Sequence, residues 1–421
     1  SGPSMAPVAG RHFAGALGHQ DLIVADTGGT TFDVSVVRDG RIPLTPELWI
    51  GRPILGHITG FPSVDVRSVG AGGGSIARVD SFGVLHVGPE SAGARPGPAC
   101  YGRGGTEPTV TDAALLLGYL DPEFFLGGTM PLDMAAAERA MERIAKPLGF
   151  SATQAAAGVI ELVTETMTQA ILQITVEQGI DPAEAALVGG GGAAGMNLVF
   201  IGRRLGCKRV IVPEVGSTLS AAGELISDLV TERRATRRMS TAAFDRTGAN
   251  AVLDGLESEC DAFVKTQGAA VAGATFVRTV EARYADQAWE IEVELPVRRF
   301  VDEADIAAFR AAFDAEHQRL FGFCDPASAV EIVSWRVSVS CRMESAGARG
   351  LADLGAVREV STRPMILADG TAVEGKVHRW AAMNANEIHE GPAIVESHFT
   401  SVAIDHARFY RSTDGSLVIE L

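Results

Sequence analysis

Asp26-Thr27-Gly28-Gly29-Thr30-Thr31-Phe32-Asp33 is the stretch from which the rest of the chain can be read. A short apolar run, Leu22–Ala25, precedes it, and Phe32–Val37 alternates apolar and polar residues after it, so the spacing predicts a β-hairpin with the glycines at its tip. Two glycines there remove the side chains that would hold a ligand off, leaving backbone N–H groups free to face an anion. Thr30 and Thr31 add hydroxyl donors. Asp26, at the end of a buried strand, suits a hard cation held through its water shell. An ordinary hairpin, with Asp-Thr-Gly-Gly serving turn chemistry alone, is the other reading of the same residues.

Gly189-Gly-Gly-Gly-Ala-Ala-Gly195 lies between a predicted strand at 186–188 and a predicted helix running to Gly206, with a second strand at 209–213. This strand–turn–helix–strand order marks an α/β fold, and such a turn is where that fold receives a nucleotide. The run is not a dinucleotide fingerprint, since no acidic residue follows at the distance needed to hold a ribose. Together the two turns resemble the second phosphate loop and the adenosine loop of the actin, sugar-kinase and heat-shock-chaperone ATPase superfamily.

Composition narrows the class. Lys and Arg number 36 against 52 Asp and Glu, a net charge of −16, which argues against non-specific nucleic-acid binding. Apolar residues make up 46% of the chain, enough for extensive cores. No apolar run reaches the roughly 18 residues of a bilayer span, and the start lacks a secretion signal. The five cysteines are scattered, with no CxxC, as in a reducing compartment, so a cytoplasmic location is expected. The nine histidines form neither HxH nor HExxH, and no protein-bound transition metal is indicated.

Between the two turns lies a glycine- and proline-rich tract from Gly70 to Pro108, longer than a mere connection needs. Helices are predicted over Pro131–Lys146 and Ser151–Gly179, the second opened by Ser151 with Gln154 in a capping-box spacing. The run Thr231–Arg238 holds four arginines and reads as a solvated face, an inter-domain contact or an anion site. Beyond it, helices around 251–267 and 303–320 and strands at 274–284, 289–295 and 330–339 point to an α+β arrangement. The organisation expected is an α/β ATPase-like lobe over 1–240 and a C-terminal α+β domain over 241–421.

From end to end the chain resembles the hydantoinase A/oxoprolinase family, which includes subunits of ATP-dependent acetone and acetophenone carboxylases. The resemblance rests on Ser1-Gly-Pro3, the Asp26–Asp33 turn, Gly70–Ala77, Gly88–Gly102, Pro108–Asp112, Leu219–Gly223, Arg283-Tyr284 with Gln287, and Gly391–Ala393. It implies an actin-like ATPase fold, ATP and Mg²⁺ as cofactors, and phosphorylation of a cyclic amide's carbonyl oxygen so that water can attack. In the carboxylase members a ketone takes the amide's place. It implies Asp26 on magnesium, Gly28, Gly29, Thr30 and Thr31 on the phosphates, and Gly190, Gly191 and Gly192 against the adenosine. It also implies a hydantoinase B-type second subunit as partner.

Family members usually begin with another lobe bearing its own Asp-Gly-Gly-Thr turn. These residues carry no second such turn, so either a separate polypeptide or fragment supplies it, or the chain does not turn over ATP and serves as a structural subunit without catalysis. At Asn197 the family typically has a histidine, whose proton-transfer or metal role an amide cannot take over. Four further residues stand out within the glycine- and proline-rich tract and just beyond it. Asp112 reads either as a second catalytic carboxylate, base or orienter, or as a helix cap. Arg95 and Arg103 read as anion contacts or as structural pairs. Cys100 lacks a neighbouring histidine, which disfavours a nucleophile.

Overall fold

The computed structural model describes residues 2–45, 49–50, 55–59, 63–268, 271–343, 361–368 and 370–421; Ser1 lies outside them. The chain divides into two units: Ser1–Ile226 with Arg349–Leu421, and Ser227–Ala348.

The first unit is organised by an eight-stranded sheet. In chain order its elements are α1 (Gly2–Ala16), β1 (Leu22–Thr27), β2 (Phe32–Val37), β3 (Val66–Val69), α2 (Val110–Leu116), α3 (Met134–Leu148) and α4 (Ala152–Gln178). There follow β4 (Ala186–Gly190), α5 (Leu198–Leu205), β5 (Arg209–Val212) and α6 (Leu219–Ile226). The second unit supplies β6 (Leu229–Ser240), α7 (Arg246–Gln267), β7 (Val271–Tyr284), β8 (Ile291–Glu294), α8 (Glu303–Phe321) and β9 (Val330–Met343). The chain then returns to the first unit with β10 (Ser361–Ile366), β11 (Ala372–Arg379), β12 (His389–Glu390), β13 (Ala393–Glu396), β14 (Ser401–Ile404), β15 (Arg408–Arg411) and β16 (Leu417–Glu420).

The sheet order is β12-β15-β16-β5-β4-β1-β2-β3, with β1, β4 and β5 parallel and the outer pairs antiparallel. Alternation along β1 sends Ile23 and Ala25 into the core formed with α2–α5, and Leu22 and Val24 against α1 and α6. A sheet covered on both faces is the α/β architecture the sequence predicts, here of the actin-like ATPase kind. Within this unit a smaller sheet, β10-β11-β13-β14, packs into the larger of the two cores.

The division at residue 240 is not where the contacts fall. β6 pairs with β9 from Leu229↔Cys341 onward, so the α+β unit already begins at Ser227. At the other end β16 pairs back onto β5, Arg209↔Glu420, which restores the last residues to the first sheet. The second unit is therefore an insertion, not a C-terminal domain. Its sheet, β6-β9-β7-β8, surrounds Trp335, Phe300, Phe309 and Phe313.

The arginine run of 231–238 lies on β6 as a largely solvated face. Arg233 pairs with Glu259, Arg234 with Glu232 and Arg237 with Asp245. Helix α4 opens as expected, Ser151 accepting from the Gln154 N–H while the Gln154 side chain accepts from the Ser151 N–H. The tract after Gly70 is less irregular than its composition indicates: Ser75–Val79 and Leu85–Ser91 pair as a hairpin.

Candidate functional site

The two turns meet because their strands are neighbours. β1 runs parallel to β4, with Asp26 beside Gly190. Past the strand ends the Ala193 N–H donates to the Thr27 carbonyl at 3.1 Å. Gly191 has φ +85°, and a Cβ there would lie 2.1 Å from the Thr27 carbonyl oxygen, so this crossing requires glycine. A third glycine stretch joins them: the Gly73 N–H donates to the Gly28 carbonyl at 3.1 Å and the Gly74 N–H to the Gly29 carbonyl at 2.6 Å. Gly70–Ser75 stands out in the sequence, but this contact spans more than forty residues and no local pattern announces it.

The three turns form one side of a cavity of about 430 Å³, inside the roughly 300–1,000 Å³ range of small-molecule sites. Gly29, Thr30, Gly73, Gly74 and Gly192 line it. Gly28, Thr31, Gly190, Gly191 and Asp26 belong to the same turns and stand behind that wall. The Thr31 hydroxyl turns to Asp33 Oδ2 at 3.4 Å, and Gly190 is packed under Leu219.

Asp26 is half-buried. Burial pushes its carboxyl above the ordinary aspartate value, Ser220 Oγ at 2.9 Å pulls it back, and the negative charge of Asp33 pushes it up again. Asp33 is its direct partner in the β1–β2 register, and it accepts from Ser68 Oγ. Two carboxylates opposite one another, with the Ser220 and Ser68 hydroxyls as their hydrogen-bond donors, repel each other. They suit a magnesium ion bound through water, whose charge would relieve both. Among the described residues no group of three or more His, Cys, Asp or Glu could hold a metal by itself. Thr27 Oγ1, beside Asp26, is buried without a hydrogen-bond partner among the described residues. Asp33, Ser220 and Thr27 are the site residues that sequence reasoning did not assign.

Asp112 does not join them. Fully buried at the third position of α2, it accepts from the N–H groups of Ala99 (3.2 Å), Cys100 (2.7 Å) and Thr109 (3.0 Å) and from Thr109 Oγ1 (2.7 Å). Four donors saturate the carboxylate, which favours the cap over a base. Cys100 is buried beside it, and burial drives its thiol far above the usual range. Asn197 is also buried, its Nδ2 at 3.3 Å from Thr164 Oγ1 of α4, away from the cavity wall.

The family profile described as Hydantoinase/oxoprolinase matches residues 1–233. The chain belongs to the hydantoinase/oxoprolinase family. It is similar to caprolactamase subunit alpha of Pseudomonas jessenii, 37% identical over 414 residues, covering 96% of this chain and 58% of that one. It is 30% identical to the acetophenone carboxylase gamma subunit of Aromatoleum aromaticum, over 98% of this chain and 59% of that one. The crystal structure of the ATP-dependent caprolactamase from Pseudomonas jessenii superimposes with a TM-score of 0.78 at 35% identity, over 99% of this chain and 61% of that one. This hydantoinase/oxoprolinase chain thus spans under two thirds of the length of these relatives. Among its described residues no helix is long and apolar enough to cross a membrane.

Proposed function

We propose that this chain is the ATP-handling part of an enzyme that opens a cyclic amide by phosphorylating its carbonyl oxygen. The observation that carries the reading is the convergence of three glycine turns on one cavity, with Asp26 and Asp33 paired behind them. The relatives' names, an ATP-dependent caprolactamase and a carboxylase, are consistent with nucleotide activation of a carbonyl group.

An amide is a poor electrophile because resonance feeds its carbonyl. In the proposed reaction the amide oxygen attacks the γ-phosphorus, and the bond to the bridging oxygen breaks with its electron pair leaving on ADP. Water adds to the activated carbon. The ring nitrogen takes a proton and departs with the C–N pair, leaving an acyl phosphate that a second water opens to carboxylate and phosphate. The Gly29 N–H and the Thr30 hydroxyl are assigned to the phosphates and Gly190–Gly192 to the adenosine. Gly28, whose N–H donates to the Thr31 carbonyl at 2.9 Å, and Thr31, whose hydroxyl turns to Asp33, shape the turn instead of donating to phosphate as expected from sequence. Asp26, with Asp33 beside it, is assigned to magnesium, which neutralises triphosphate charge when bound. The first lobe of the ATP clamp is assigned to a segment or polypeptide outside these residues, and a hydantoinase B-type subunit completes the enzyme.

Titration of MgATP into the assembled enzyme tests this. Binding in the roughly 1 μM–1 mM range is expected, weakened at least tenfold by Asp26→Ala. No binding, together with unchanged complex activity in Asp26→Ala, would instead support a non-catalytic structural subunit. The similarity to the acetophenone carboxylase subunit favours a second reading, ketone carboxylation. Phosphate release that needs bicarbonate plus a ketone, and not a lactam, would select it.

A further inference from the structure

The cavity lining is of two kinds: the glycine turns, and the larger side chains of Tyr101, Phe124, Leu126, Met130 and Phe399. We propose that this aromatic wall is the acceptor subsite for the ring of an uncharged cyclic amide, placing the carbonyl and the phosphate turns in one chamber. The proposal rests on the nucleotide reading above and adds to it the class of substrate.

The wall is rigidly built. The Arg379 guanidinium lies 3.6 Å from the centre of the Phe124 ring. Arg379 is itself held by Glu396, whose side chain is fully buried, and by Asp121 at 3.6 Å. Arg363 ties the same two carboxylates together at 2.8 Å each. A network of four charges holds the guanidinium that stacks on the ring, and Phe124 cannot swing away without unstacking from Arg379. Two residues on, Leu126 has φ +51°, a left-handed conformation that costs a leucine roughly 1–2 kcal/mol. The fold recovers little of that cost, because Leu126 remains 45% exposed. An apolar ligand in the cavity would recover it by covering the side chain.

Charge decides between neutral and acidic substrates. Among the described residues Arg103 is the one cation on the cavity wall, and no carboxylate lines it. Arg103 lies 6.0 Å from the Tyr101 ring centre and 3.7 Å from Met130 Sδ, with no acidic partner among the described residues to occupy it. Burial pushes the Tyr101 hydroxyl up to about 12, so it stays neutral. A single arginine can answer the phosphoryl group. A carboxylate on the substrate would put a second anion against aromatic carbon with no counter-charge.

ATP turnover by the assembled enzyme, measured with an unsubstituted seven-membered lactam and with 5-oxoproline, tests the assignment. The neutral lactam is expected to exceed 5-oxoproline at least tenfold in kcat/KM. Leu126→Trp, which fills the chamber from an exposed position, and Phe124→Ala should each raise the lactam KM at least tenfold. The MgATP Kd, measured by calorimetry, should stay within about twofold. Equal or better use of 5-oxoproline, or a lactam KM unmoved in both variants, would overturn the subsite while leaving the nucleotide reading intact. Absence of MgATP binding would count against the nucleotide reading. Direct titration of the lactam into wild type and Leu126→Trp would then decide the subsite alone.

Discussion

Asp26 carries the charge problem of the site, and its pH behaviour follows from that. Its folded-state carboxyl is held above the ordinary value of 3.8, chiefly by burial. A raised acid binds its proton more tightly in the folded than in the unfolded state, so its stabilising contribution is full at low pH and is lost as pH rises through the folded value. Asp26→Asn should therefore melt higher than wild type at pH 7.5 without nucleotide, by an amount of the order of 1 kcal/mol, as expected when a strained functional group is removed. The difference should vanish as the pH falls below 3.8. Melting curves across that range check the sign, and a variant less stable than wild type at pH 7.5 would show that Asp26 is satisfied as it stands. Asp26 was legible from its place at the end of an apolar run. Ser220, 194 residues away, was not, because only the fold of α6 against β1 brings its hydroxyl within 2.9 Å.

At the scale of elements, Asp112 shows how a carboxylate in a stretch that carries the family resemblance can serve architecture. Thr109 and Asp112 form a reciprocal capping box on α2, and the same carboxylate anchors the turn at Ala99–Tyr101 through two backbone N–H groups. Asp112→Asn places an amide N–H₂ among donors, leaving buried N–H groups unpaired. A loss of about 2–4 kcal/mol in unfolding free energy is expected, with kcat per folded molecule kept within about threefold. A large drop in kcat with unchanged denaturant midpoint would restore a catalytic role. The cap was readable from Thr109 and Asp112 three residues apart; the Ala99 and Cys100 donors, a dozen residues earlier, were not. Helix α4 was legible because Ser151, Gln154 and the spacing of Ile160, Val163 and Met167 all agree. Helix α1 was not, because Pro7, Gly10 and Gly15 oppose a helix locally. It forms because Ala6 and Ala9 pack on the sheet and Gly10 lets the helix approach Val24, where a Cβ would come within 2.6 Å.

At the scale of the whole molecule, the order of the chain hides which residues fold together. Strong local patterns placed the helices and the later strands of Ser227–Ala348, but β6 went unread beneath its arginine run and the boundary was misjudged, because strand partners were not local. β16 lies between β15 and β5, and its Leu417, Val418 and Ile419 are almost completely buried. Burying three such side chains is worth about 5–9 kcal/mol, comparable with the roughly 5–15 kcal/mol that holds a typical domain folded. Removing residues 417–421 would also strip one of the two backbone partners from each neighbouring strand. The core around Trp335, Phe309 and Phe313 contains no side chain from that segment. The truncated chain should therefore lose the cooperative unfolding of the first unit while Ser227–Ala348 keeps its own transition. Amide exchange reads the two units separately: protection should vanish in β1 and β4 and persist in β7 and β9. Retained protection at Leu22–Thr27 would mean that the sheet closes without its last strand, and that the chain's return to the first unit is not what holds the glycine turns together.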